Sequence, residues 1–212
     1  MQLKKQTGFT LVEIAIVLVI VGLLIGGVLK GQEMITNAKL KRIESDNAGI
    51  AAAMFSYQDR YTQLPGDDDD AQSRFQIYTA SADNGNGNGV IEGKWTGDTA
   101  TVETSMFWKH LRAAGLIPGG GTDTQPATNA YGGVIGIRDG SLGLAGHVII
   151  FGNIEGPIAK IIEARLDDGD PQKGRIQSGC ASCDGAIVDM DAASSGSATY
   201  EDDERYNIAF RL

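Results

Sequence analysis

Little in this chain points to turnover. It has no Gly-x-Ser-x-Gly elbow, Walker loop, His-Glu-x-x-His pair or Gly-x-Gly-x-x-Gly turn, so the common hydrolase, nucleotide, metalloprotease and dinucleotide signatures are missing. Only two histidines and two cysteines are present, and a four-ligand zinc site would have to use all of them. Positive charge is scarce. Eighteen Lys and Arg stand against 27 Asp and Glu, a formal net charge of −9. No basic-aromatic patch offsets this, which excludes a global attraction to nucleic acid or to an anionic membrane surface. There is one long apolar run and no second, so the chain is not a multi-span membrane protein. With 42% hydrophobic and 21% charged residues, it is not a disordered one either. No repeat of 20–50 residues is visible. The 212 residues suit one domain, or one domain plus an appendage.

What is present is strongly asymmetric. Phe9–Leu29 reads FTLVEIAIVLVIVGLLIGGVL, with Glu13 as its single charge. Beyond Lys30 the chain holds 15 Lys and Arg against 26 Asp and Glu, a net of −11. A helix rises about 1.5 Å per residue and a bilayer core is about 30 Å thick, so this run is just long enough to span. Lys4 and Lys5 precede it, and the next positive charge is Lys30. The positive-inside rule then places the N-terminus in the cytoplasm and the acidic body outside. A cleaved secretory signal would have a shorter run and a small-residue cleavage site. Gly26-Gly27 imitates one, but the run continues into a helical pattern. A plain signal anchor explains everything except Glu13. A carboxylate in a spanning helix costs a few kcal/mol, and no Lys or Arg in the segment is spaced to pair with it. Its partner is therefore expected on another chain.

KKQTGFTLVEIAIVLVIVGLL resembles the start of type IV pilins and type II secretion pseudopilins. The shared features are a short basic leader ending in Gly8, Phe9 after it, Glu13 five positions into the mature chain, and a continuous apolar helix. The resemblance covers about the first 30 residues. It implies cleavage between Gly8 and Phe9 by a prepilin peptidase, methylation of the new Phe9 amine, and neutralisation of a neighbour's N-terminal amine by Glu13. It also implies, as partners, a homo-oligomeric filament with other pilin-like subunits, an inner-membrane platform protein and, indirectly, a cytoplasmic ATPase. The family's helix often carries a proline near its middle. Here none occurs, and Gly22, Gly26, Gly27 and Gly31 are candidates for the soft point, each weakening a helix interior by about 1 kcal/mol.

The apolar stripe Ile35, Ile43, Ile50, Met54, Tyr57, Tyr61 extends the helix past the membrane until Leu64-Pro65-Gly66 stops it, a rod of about 80 Å. A polar loop with Asp67, Asp68, Asp69 and Asp70 follows, running to Gly97. Val102–Leu116 is predicted helical. Val134–Ile137 and His147–Phe151 are predicted strands separated by turn residues such as Asp139-Gly140, and Pro157–Leu166 is a predicted short helix. The tail from Gly174 reads as loop with short strands, ending in Tyr206–Leu212.

Two further patterns have chemistry attached. Cys180 and Cys183 form a Cys-x-x-Cys that suits a redox pair, half a zinc site or a small structural disulfide. Flanking glycines argue against the first, and a location outside the cytoplasm favours the third. Asn84, Asn86, Asn88 and Gly89 follow the first part of a calcium loop, with oxygens at alternate positions and a glycine for the turn. The twelfth position is Trp95, not Glu. Glu92 and Asp67–Asp70 are the substitute charges. The competing reading is a flexible Asn-Gly loop. Asp167, Asp168 and Asp170 read as a solvated turn, and His110 and His147 as packing or surface residues.

The sequence thus predicts an α+β chain: leader 1–8, membrane and filament-core helix 9–30, amphipathic helix 31–63, and a head 64–212 built on a small antiparallel sheet with long loops. It predicts a structural subunit, not an enzyme, of a type IV pilus. No cofactor is required, calcium is left open, and no nucleic-acid contact is evident. It sits in the inner membrane by a single span, with its assembled form in a pilus or a periplasmic pseudopilus. Two alternatives stay open: a type II secretion pseudopilin, and a periplasmic binding protein or enzyme that borrows only the anchor.

Overall fold

The computed structural model describes residues 9–97, 99–180 and 199–212. The chain is α+β. Helix α1 (Leu11–Tyr61) is followed by α2 (Ala71–Arg74), a 3-10 turn at Ser81–Asp83, and α3 (Glu103–Ala113). Then come strands β1 (Ala127–Thr128), β2 (Val134–Ser141) and β3 (Leu144–Glu155), helix α4 (Gly156–Leu166), and strands β4 (Ile176–Cys180) and β5 (Arg205–Arg211). Compact units divide inside α1: one runs through Lys41 and the other is Arg42–Leu212.

From Phe9 to Ile35 the apolar side chains face outward. Phe9, Leu11 and Leu23 are among many large hydrophobics left exposed. An apolar helix surface of that size does not persist in water, because each Å² would gain about 25 cal/mol on burial. The helix is long and apolar enough to cross a membrane. Ile35, expected in the buried stripe, is exposed.

In the second unit the predicted stripe is buried at Ile43, Ile50, Met54 and Tyr57. These positions recur at helical spacing, so one face of α1 is apolar over its last five turns. The helix ends at Tyr61, before the Pro65 stop, because Thr62 turns to a left-handed φ of 59°.

All five strands are antiparallel, in the order β1-β2-β3-β5-β4. The β2–β3 hairpin corrects the predicted turn. Asp139 and Gly140 remain inside β2 at a register shift, and Asp139 pairs with His147. The reversal is at Leu142-Gly143, whose φ values are both positive, 52° and 86°. That is the type I′ pattern whose twist suits two strands. Leucine is an unusual residue in a left-handed conformation, but here its side chain is buried in the cluster of Trp95, Leu144, Val148, Ile150 and Ala209. Burial worth roughly 1.5–3 kcal/mol offsets the local strain. Phe151 packs edge-on to Phe210 at 5.3 Å between ring centres.

The stretch after Pro65 is not a solvated polar loop. Asp67 and Asp68 are 1% and 0% exposed, and Phe75 and Tyr78 join Tyr57 and Tyr61 in a ring cluster. Glycine permits one close approach there. A Cβ on Gly85 would run into the Asp67 backbone, and the Gly85 N–H donates to the Asp68 carbonyl at 2.8 Å.

Candidate functional site

At the start of α1 the residues Thr10 and Glu13 form a reciprocal cap. The Thr10 N–H and hydroxyl both donate to Glu13 Oε2, at 2.9 and 2.8 Å. The Glu13 N–H lies 3.3 Å from Thr10 Oγ1 and donates to it. This is the capping-box arrangement, Thr-x-x-Glu, which satisfies donors that a helix start leaves open. All contacts go to one carboxylate oxygen; Oε1 accepts no hydrogen bond among the described residues. Glu13 therefore has a local partner in the lone subunit and an oxygen left for another donor. Gly8, on the other side of the expected cleavage point, lies outside the described residues.

The Asn-Gly loop is built around two buried carboxylates. Asp67 Oδ1 accepts the Asn88 N–H at 3.1 Å and Oδ2 accepts the Gly89 N–H at 2.7 Å. Glu103, at the first turn of α3, accepts the N–H groups of Asn86 at 3.2 Å and Glu92 at 2.8 Å. Burial nevertheless raises the Glu103 carboxyl above its ordinary range. The carboxamide oxygens are engaged too. Asn86 Oδ1 accepts from Asn88 N–H and Asn88 Oδ1 from Val90 N–H. Glu92 accepts the side-chain amides of Asn86 and Asn88 at 3.3 and 3.4 Å. Asp67, Asn86, Asn88 and Glu92 are thus brought together. Asn84 instead accepts from Gln72 N–H at 2.7 Å, Asp69 from the Gln63 amide at 3.2 Å, and Asp68 and Asp70 turn to Arg74. Each oxygen keeps a second lone pair, while the first is used to fix the loop.

His110 has defined partners that its sequence position did not suggest. Its Nδ1 accepts the Gly66 N–H at 2.9 Å, so Nε2 carries the proton and donates to the Asp83 carbonyl at 2.9 Å. The neutral ring staples both ends of the loop, and burial lowers its pKa below 6.5. In the unfolded chain it titrates near 6.5. Below that value the unfolded state takes a proton that the folded state refuses, so stability falls as pH drops. We expect the unfolding free energy of wild type, from urea titrations, to fall between pH 7.5 and 5.5 more steeply than that of His110→Gln, by up to about 1.4 kcal/mol per pH unit. Parallel profiles would show that His110 is not a source of the dependence.

A second acidic group lies after α4. One carboxylate oxygen from each of Glu163, Asp167 and Asp168 lies within 4.8 Å of the others. Glu163 is 0% exposed; burial, then the Asp167 charge, push its carboxyl up to about 8. The sequence reading passed over Glu163, whose one visible signal is its place four residues before Asp167. Thr10 was also missed, though Thr-x-x-Glu before an apolar run is legible. Cys180 ends β4 and is disulfide-bonded. Cys183 lies outside the described residues.

Residues 3–29 match the prokaryotic N-terminal methylation motif, the prepilin-type signal of type IV pilins and pseudopilins. That motif supports a pilin-like or pseudopilin precursor, and the proteins that share it are structural subunits. That signal implies processing by prepilin peptidase and assembly with pilin-like subunits. No curated protein and no solved structure matches the chain.

Proposed function

We propose that this chain is a pilin subunit, cut between Gly8 and Phe9, methylated at the Phe9 amine, and assembled through the apolar half of α1 into a type IV pilus. One observation supports the reading above others: from Leu11 to Leu29 the matched segment is an apolar, exposed helix whose only carboxylate, Glu13, stands at its first turn. Exposed apolar surface calls for lipid or for other helices of the same kind. A carboxylate at the first turn calls for a positive partner at the same depth. A free amine at a neighbour's Phe9 supplies one. The acidic second unit, Arg42–Leu212, would then lie outside the cytoplasm and on the fibre surface.

The mature protein is expected to begin at Phe9 with one added methyl group. Intact mass and N-terminal sequencing of protein from membranes check this, and Gly8→Leu is expected to leave full-length precursor. A mature chain starting at Met1 or near Gly27 would reject the reading. An uncleaved monomer would instead favour an anchored periplasmic binding protein or enzyme. Deletion separates the two filament readings: loss of surface fibres indicates the pilus, and loss of protein secretion indicates a pseudopilus.

A further inference from the structure

The turn that follows α4 gathers negative charge without a cation. Glu163 sits in the last turns of that helix, Asp167 follows its end, and Asp168 comes next. Spacing of four residues places Glu163 and Asp167 on one side. Two nearby basic side chains are committed elsewhere. Arg165 reaches Glu44 at 3.5 Å, and Lys173 binds Asp170 at 2.5 Å. Among the described residues no Lys, Arg or His pairs with the three carboxylates.

Glu163 adds an independent observation. Its Oε2 is 3.3 Å from the Tyr200 hydroxyl, which donates to it. Its Oε1 is buried and has no hydrogen-bond partner among the described residues. Folded proteins seldom leave a buried carboxylate oxygen bare, and such a gap calls for a missing ion or water. The two aspartates are preset around it. Asp167 Oδ2 accepts the backbone N–H groups of Arg175 at 2.5 Å and Ile176 at 2.7 Å. Asp168 Oδ1 accepts the Asp170 N–H at 2.9 Å. Each therefore has one oxygen used in fixing the turn and a second that accepts no hydrogen bond among the described residues.

We propose that Glu163, Asp167 and Asp168 bind a hard divalent cation of the calcium class. Calcium takes oxygen ligands at about 2.3–2.6 Å, so oxygens up to about 4.8 Å apart can share one ion, the limit within which these three lie. Three carboxylates supply its charge, and water completes its shell. Zinc prefers nitrogen and sulfur; magnesium needs about 2.0–2.1 Å in a near-ideal octahedron, a tighter cage. The bound ion would tie the end of α4 to the start of β4 through Asp167, and to the segment that leads into β5 through Tyr200. It would brace the outer strand of the sheet.

Calcium titration of the full chain in detergent, after EGTA treatment and desalting, tests this. Wild type is expected to bind one calcium ion and to melt higher with it. Glu163→Gln and Asp168→Asn are each expected to weaken binding roughly tenfold or more, since affinity follows ligand charge. In EGTA Asp168→Asn should melt at or above wild type, because it relieves like-charge crowding with Asp167. Glu92→Gln, in the Asn-Gly loop, should bind as wild type does. Asp168 is exposed, so its variant remains informative even where Glu163→Gln folds poorly. The proposal fails if wild type binds no calcium at millimolar concentration, or if Asp168→Asn binds it unchanged. It also fails if binding is lost in Glu92→Gln, which would place the ion in the other loop.

Discussion

Glu13→Gln is expected to be inserted and cleaved normally and to be absent from sheared filaments. Glutamine can still accept from Thr10, whose N–H and hydroxyl both reach one oxygen of Glu13, so the helix start keeps its cap. What it loses is charge. In the proposed assembly a Phe9 amine and a Glu13 carboxylate from adjacent subunits meet where water is scarce. There each is costly alone, and breaking such a pair costs about 3–5 kcal/mol. That is roughly a hundred- to several-thousandfold per contact, repeated at every subunit. Loss of the cap alone is worth only about 0.5–2 kcal/mol and would fray the first turn. Glu13→Ala suffers both losses. Glu13→Asp is shorter by one methylene and should be partly defective. A rise of about 6 Å separates the first and fifth residues of a helix, so a subunit displaced axially by that amount brings its Glu13 level with a neighbour's Phe9. Only a staggered stack running in one direction satisfies every pair. The measurement is the sheared-fibre fraction against total membrane protein. Wild-type fibre yield from Glu13→Gln would remove the charge pair from the mechanism.

The second large effect is expected at Asp68. Its carboxylate accepts the Tyr57 hydroxyl at 2.6 Å and the Asp70 N–H at 2.9 Å, and it pairs with the Arg74 guanidinium. Burial and the Asp68 hydrogen bond hold the Tyr57 hydroxyl in its neutral form. Asp68→Ala leaves a buried hydroxyl without an acceptor and the Arg74 guanidinium with only its longer pair to Asp70 at 3.7 Å. Breaking a buried pair from one side costs about 3–5 kcal/mol, out of a total of about 5–15 for a typical domain. For a unit of this size the melting temperature should fall by roughly 10 °C. Asp68→Asn keeps one acceptor oxygen in place of two and loses the charge, and should lie between. Thermal melts followed by tryptophan fluorescence, which reports Trp95 and Trp108, decide the matter. A shift of only one or two degrees in Asp68→Ala would mean that the aspartate is not a structural link.

The difference between these two residues shows what was legible. Glu13 announces itself because its neighbours in sequence are all apolar, and the cost of a charge in such a run depends on the run alone. Asp68 stands in a row of four aspartates and looks like solvent-facing polarity. It is buried only because Tyr57 and Arg74 come to it, and no local pattern carries that. The same holds for His110, whose partners Gly66 and Asp83 are 44 and 27 residues away.

Hydrophobic period and length are local quantities, so the primary sequence by itself determined the long helix, the outward apolar segment, the antiparallel α+β plan and the prepilin-type start. The hairpin reversal was decided otherwise. Asp139-Gly140 has good turn chemistry, yet the chain turns at Leu142-Gly143, because only that register sends Leu142 and Leu144 into the Trp95 cluster. Placement of β5 between β3 and β4, burial of Asp67 and Asp68, and the meeting of Glu163 with Asp167 and Asp168 were likewise settled by tertiary structure. Each depends on groups distant in the chain, and a buried polar atom takes its place from whichever partner can satisfy it.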